Sequence, residues 1–213
     1  MTPGLRRALL VAPLVAVVAV VAIRFAAERR ALPRPGPPPP VIATLPEFVL
    51  TERSGALVTR EELAGSPWVA DFIFTRCRVY CPRLTARMKE LAGRLPEASG
   101  VKLVSITVDP GYDTPAVLTA YADSHGLSHS HDWLFLTGPR PAIWDLVRHG
   151  FLLPVEETPE NSDMPILHSN RFVLVDGAGR LRGAYDAFEP DALDRLLGDL
   201  AALQEESAAA RGR

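Results

Sequence analysis

The chain is short of cysteine, of net charge and of internal repetition. Two cysteines among 213 residues exclude a disulfide-stapled scaffold. A balance of 23 Lys+Arg against 25 Asp+Glu leaves a net charge of −2, with no sign of a polyanion-binding protein in the total. No segment repeats at a fixed period, which excludes solenoids and propellers. The charge is unevenly spread: residues 1–43 hold six Arg and one Glu, so the rest of the chain is mildly acidic. An acidic body argues against a phosphate backbone as its partner, and no nucleic acid is expected. What is present, 47% hydrophobic and 23% charged residues, is ordinary globular composition.

Ala8 to Ile23 form a run of sixteen residues without a charge. As a helix it is about 24 Å long, and it reaches the roughly 30 Å of a bilayer core if Arg24 snorkels and Phe25–Ala27 join it. Arg6 and Arg7 precede it, and no clean small-x-small cleavage site follows. An uncleaved anchor over 1–30 therefore fits better than a cleaved signal peptide. The arginines after the run outnumber those before it, which taken alone places the C-terminal side inside. Residues 33–40 read PRPGPPPP, a stiff polyproline-type linker within 31–43. A folded domain is expected over 44–205, with 206–213 as a frayed tail.

Inside the domain, strand-like and helix-like segments alternate. Thr59-Arg-Glu-Glu62 is a capping box that predicts a short helix, with Val58 and Leu63 as its staple. Pro67 to Phe74 is an apolar run with a single charge, Asp71, and predicts a buried strand. Leu84, Met88, Leu91 and Leu95 recur at helical spacing, Val101–Val108 predicts a second central strand, and Thr114-Pro115 predicts a capped helix start. Trp133–Leu136 reads as a strand and Ala142–Val147 as a helix, with 150–165 irregular. Arg171–Val175 and Leu181–Tyr185 flank the turn Asp176-Gly177-Ala178-Gly179, a hairpin. Leu193, Leu196, Leu197 and Leu200 close the domain as a helix. The order predicts an α/β fold, a mixed sheet flanked by helices, with its chemistry at the carboxyl end of the first buried strand.

Both cysteines fall there, in Phe74-Thr75-Arg76-Cys77-Arg78-Val79-Tyr80-Cys81-Pro82. Two buried apolar thiols or a static disulfide are the plain alternatives, but a disulfide closing so small a loop would stabilise little. On a helix, positions i and i+4 have Cβ atoms about 5–6 Å apart, whereas a disulfide needs about 3.8 Å. Two thiolates sharing one metal need sulfurs about 4 Å apart, which this spacing reaches more easily. A redox dithiol and a soft-metal site both remain open, and the helix start with Arg76 and Arg78 favours thiolate in either. A selective Cu(I) site needs a third donor. His125 and His149 read as solvated helix ends, and His129-Ser-His131 as a loop pair. His168, between Met164-Pro165-Ile-Leu167 and the strand from Arg171, is either a loop ligand folded over the sheet mouth or an exposed loop histidine. Met164 is a packing residue or a further soft donor.

Three segments resemble the Sco/SenC copper proteins: Phe74-Thr75-x-Cys77-x-x-x-Cys81-Pro82; Asp109-Pro110-x-x-Asp113-Thr114-Pro115-x-x-Leu118-x-x-Tyr121; and His168-Ser169-x-Arg171-Phe172 onward to Gly183. They stand in family order across residues 44–200. The resemblance implies a thioredoxin-like fold with an inserted hairpin and a transmembrane anchor. It implies copper, as Cu(I) and also Cu(II), bound by Cys77, Cys81 and His168. It implies a metallochaperone for the copper centre of cytochrome c oxidase subunit II or another cuproprotein, on the cytoplasmic membrane with its domain facing the periplasm or extracytoplasmic space. The alternative from a different class is a thiol–disulfide oxidoreductase using Cys77 and Cys81 as its redox pair without His168. Arg78 and Leu167 stand where the family often has proline and aspartate, the second removing a carboxylate that could orient the histidine ring.

Overall fold

The computed structural model describes residues 36–96, 99–128, 132–158 and 165–211. The expected anchor, most of the linker's upstream half, the His129–His131 pair and Met164 lie outside them. Ten strands are described: β1 (Ala43–Thr44), β2 (Val49–Glu52), β3 (Leu57–Thr59), β4 (Trp68–Ile73), β5 (Lys102–Thr107), β6 (Trp133–Thr137), β7 (Val155–Glu157), β8 (Ile166–His168), β9 (Arg171–Val175) and β10 (Arg180–Asp186). The α-helices are α1 (Tyr80–Arg94), α2 (Pro115–Ser124), α3 (Arg140–Asp145) and α4 (Ala192–Arg211), and a π-helical stretch, Leu146–Gly150, continues α3. Among the described residues, eight strands form one sheet in the order β1-β10-β9-β4-β5-β6-β2-β3, and β7 and β8 form a separate hairpin.

The apolar run after Pro67 becomes the middle of this sheet. All six residues of β4 are buried, parallel to β5 on one side and antiparallel to β9 on the other. Such a strand has no solvated face, so its sequence cannot alternate as an edge strand's does. The crossovers from β4 to β5 and from β5 to β6 step the same way across the sheet. Right-handed connections then put α1 and α2 on the same face. Thr85 of α1 and Tyr121 of α2 meet there, their hydroxyls 2.7 Å apart. α4 joins them, with Arg94 of α1 donating to Asp194 at 2.5 Å. The opposite face is sealed by Phe151, whose ring meets Trp68 and Phe72 edge-on at 6.1 and 5.0 Å.

The cap at Thr114 forms as expected: its hydroxyl accepts from the Val117 amide, and Pro115 occupies the first turn. The capping box also forms, with the Thr59 amide donating to Glu62 at 2.8 Å and the Glu62 amide to the Thr59 hydroxyl at 3.3 Å. It opens only a 3₁₀ turn, Glu61–Leu63, rather than a helix. Gly65 at φ +93° reverses the chain there, and its amide is drawn to the Gly177 carbonyl at 2.8 Å. Two further expectations change. The stretch 150–165 is not wholly irregular, because Val155–Glu157 pairs with Ile166–His168. The C-terminal segment continues α4 to Arg211 instead of fraying from 206, through Ala-rich sequence of high helix propensity and a Glu206 carboxylate held by Arg182 at 2.8 Å.

Arg182 sits where the β9–β10 register shifts, between Leu181 and Gly183. The irregularity turns its side chain out of the ladder and into the protein, only 4% exposed. It donates to Asp176 at 2.7 Å and twice to the Pro39 carbonyl, at 2.8 and 2.6 Å. The last prolines of the linker are thereby fixed to the domain, before β1 adds to the sheet edge.

Candidate metal centre

Beyond β4 the chain runs through Phe74 and turns over Thr75–Val79 before α1 begins. The turn is held from the end of β5. Asp113, fully buried, accepts from the Thr75 amide at 3.1 Å and from the hydroxyls of Thr75 and Thr107, both at 2.5 Å. Asp109 accepts from Arg76 at 3.0 and 2.5 Å, and the same guanidinium lies over the Tyr112 ring. Two carboxylates on one loop therefore fix the residues on the N-terminal side of Cys77.

Cys77 lies in this turn and Cys81 in the first turn of α1. Both thiols are free and both are buried, at 3% and 0% exposure. Around the buried sulfurs the turn itself is open to solvent, with Arg76, Arg78, Val79 and Tyr80 exposed. The Cys81 amide donates to Cys77 Sγ at 3.4 Å, and the Phe74 amide donates to Cys81 Sγ at 3.5 Å. The two thiols are electrostatically unequal. A hydrogen bond from the Cys81 thiol, helped by the amides of Cys81, Val79 and Tyr80, brings Cys77 down to about 5 against the effect of burial. Sharing that bond, and burial with it, pushes Cys81 far up. At neutral pH the pair is one thiolate and one thiol.

His168 is not a loop residue. It ends β8, in register with Val155 of β7, so the hairpin and not a flexible loop carries it to the sheet mouth. Its ring stands edge-on to Phe74 at 5.4 Å. Its Nδ1 lies 3.0 Å from the Ser169 carbonyl, which can only accept, so Nδ1 holds the proton and Nε2 presents a lone pair. Burial lowers the imidazole's pKa, which keeps it neutral. Nε2 lies 3.6 Å from Cys81 Sγ. Thus the structure brings Cys77, Cys81 and His168 to one place. His125 and His149 are elsewhere, the first against Tyr121 and the second paired with Asp145.

The donor set fits a soft monovalent metal. With metal–sulfur and metal–nitrogen bonds of about 2.3 and 2.0 Å and angles of 109–120°, sulfur and nitrogen on one metal stand about 3.5–3.7 Å apart. Cys81 Sγ and His168 Nε2 already have that separation. Among the described residues no group of three or more His, Cys, Asp and Glu is closed into a finished metal cluster. Completing the site requires the Cys77 sulfur to close on a metal held by the other two. Sequence reasoning missed Ser169, whose carbonyl supplies the ring-orienting acceptor that Leu167 does not, because a backbone atom leaves no compositional signal.

Residues 39–203 match the family model for SCO1/SenC. The chain belongs to the SCO1/SenC family. A SCO1 protein homolog of Bacillus subtilis is 34% identical over 155 residues, covering 72% of this chain and 79% of that one. A protein of Stutzerimonas stutzeri named for copper binding is 31% identical over 156 residues, 72% and 74% of the two chains. The solved structure of BsSco, described as a member of the Sco family of cytochrome c oxidase assembly proteins with a disulfide switch, superposes with a TM-score of 0.67 at 28% identity, covering 79% of this chain and 98% of that one. The fold is the mixed α/β, thioredoxin-like fold of these proteins.

Proposed function

We propose that this SCO1/SenC protein is a copper metallochaperone for cytochrome c oxidase assembly, taking Cu(I) on Cys77, Cys81 and His168 and passing it to the copper centre of subunit II or a similar cuproprotein. Copper is cargo here, held by two sulfurs and one imidazole nitrogen. The observation that carries the reading is the tautomer of His168. Its Nδ1 proton is committed to the Ser169 carbonyl, and its Nε2 lone pair stands at metal-sharing distance from Cys81. Two buried thiols with no third donor would suit a reductase equally well. The apolar run at Ala8–Ile23 and the proline linker support a single-pass anchor in the cytoplasmic membrane; the extracytoplasmic side for the domain follows from the oxidase-assembly role and runs against the arginine bias around the run.

Competition titration of the reduced protein with a Cu(I) chelator tests this. His168→Ala should stay folded, still form its disulfide, and hold Cu(I) at least about 10-fold more weakly. An unchanged Cu(I) affinity in that variant, with loss of oxidase assembly only in Cys77→Ser, would pass the function to a thiol–disulfide oxidoreductase. The unequal thiols support that second reading, since an acidic attacking thiol beside a protonated one is what dithiol exchange requires.

A further inference from the structure

The two cysteines and His168 come from separate units of the fold. His168 lies on the β7–β8 hairpin, which stands apart from the eight-stranded sheet. A two-stranded hairpin keeps its place only through what it packs on. Val155 and Ile166 are buried beneath it, and one helical stripe adds polar support. The stripe is Arg140 and Trp144 of α3 and Arg148 of the π-helical stretch, spaced four residues apart. Both guanidiniums lie over the Trp144 ring, 5.2 and 5.0 Å from its centre. The Trp144 indole donates to the Val108 carbonyl at 2.9 Å, just past the end of β5. Arg148 donates twice to the Val155 carbonyl, at 3.1 and 2.6 Å, and Val155 is the residue in register with His168. Arg140 Nη1 donates to Glu157 of β7, and its Nη2 pairs with Asp109 Oδ1 at 3.6 Å. Asp109 Oδ2 accepts from Arg76, the residue before Cys77. An unbroken chain of charges, Arg76–Asp109–Arg140–Glu157, thus runs from the cysteine turn to the histidine hairpin.

We propose that Arg140 and Arg148 are positioning residues of the copper site. Arg148 fixes the strand opposite His168, and Arg140 ties that strand to the loop that holds the cysteine turn. Together they set where the imidazole stands relative to the two sulfurs before copper arrives. Neither residue touches copper, and both act through His168. A single exposed ion pair would contribute little, but Asp109 is buried and each charge in this chain shares a partner with the next. Trp144 holds both guanidiniums over its ring, which limits the rotamers they sample. When either arginine is lost the sheet is unaffected, and the hairpin gains freedom to carry His168 away from Cys81. The affinity for copper then falls by the fraction of time the ring stands in place. The inference rests on the reading of Cys77, Cys81 and His168 as the Cu(I) donors.

The test is a double-mutant cycle on the reduced full-length chain, read by competition with a Cu(I) chelator. Arg148→Met keeps an unbranched side chain beside Trp144 and removes both donors to Val155. It should weaken Cu(I) binding by about 10-fold, and Arg140→Met should do the same. In a His168→Ala background either substitution should change the affinity by less than about twofold, because the donor through which the arginines act is gone. A second measurement needs no metal. Hydrogen exchange of the reduced, copper-free chain should quicken in β7 and β8 of both arginine variants and stay as in the parent in β4 and β5. An unchanged affinity in either arginine variant, an equal loss with and without His168, or exchange quickened as much in β4 as in β8 would overturn the proposal and leave the donor set standing. An unchanged affinity in His168→Ala alone would overturn the donor set, and the proposal with it.

Discussion

Asp71 should leave a signature in the stability of the fold. Burial raises its pKa from 3.8 to about 7, so the folded protein binds this proton more tightly than the unfolded chain does. The group's contribution to stability is therefore fully present below about pH 4. It is lost as pH rises from about 4 to 7, and does not change further above that. Three units at about 1.4 kcal/mol each amount to about 4 kcal/mol. Asp71→Asn has nothing to titrate at this position. Any fixed cost of placing an amide there is the same at every pH and cancels from the slope. Urea unfolding of the reduced parent and variant at intervals from about pH 4 to 8 should show the variant gaining on the parent by up to about 4 kcal/mol, or about 10 °C in Tm. The gain should stop above about pH 7. A difference between the two proteins that stays flat across this range would refute the claim that Asp71 is buried as a neutral acid at low pH and charged at a cost at high pH.

Three other outcomes can be checked directly. Because Cys77 is already a thiolate above about 5 and burial lowers the His168 pKa, Cu(I) binding at pH 7.5 should release about one proton, from Cys81, and additional protons below pH 5. Proton counting in weak buffer tests this, and two protons released at pH 7.5 would contradict it. Copper affinity should in consequence fall as pH drops, more steeply below about pH 5, and a flat affinity by chelator competition would argue against a thiolate site. Arg182→Met should cost about 2–4 kcal/mol in urea unfolding, because Asp176 keeps Arg180 at 2.8 Å but loses its buried partner; a cost under about 0.5 kcal/mol would show the cluster to be superfluous.

Local signals were legible in the sequence and long-range pairings were not. The buried strand at Trp68–Ile73, the Thr114-Pro115 start of α2 and the hairpin around Gly177 each rest on chemistry within a few residues, and each formed within a residue or two of its expected bounds. The cysteine pair was placed at the right strand end for the same reason. His168 was misread as a loop residue because its strand is only three residues long and is defined by Val155, thirteen positions earlier. A short strand with its partner across an acidic stretch carries no period of its own. The capping box was read correctly as chemistry and incorrectly as a helix, since Gly65 and its contact with Gly177 stop the chain after one turn. Asp71 counted as one charge in an apolar run. Its surroundings, Ser105 and beyond it Trp133, are assembled only by the folded sheet.

The grip of Arg182 on Pro39 fixes the handle by which the domain is held. Leu181 is level with Val175, and Val175 with Trp68, so the grip lies beside the start of β4. The cysteines lie past its other end, about 20 Å further along for a strand of six residues. A load on the chain upstream of Pro39 enters through the sheet edge and α4, and never crosses the turn that carries Cys77. The site can thus swing as the free tip of a rigid arm, and its reach toward a partner is set by the tilt of the whole domain about that pivot.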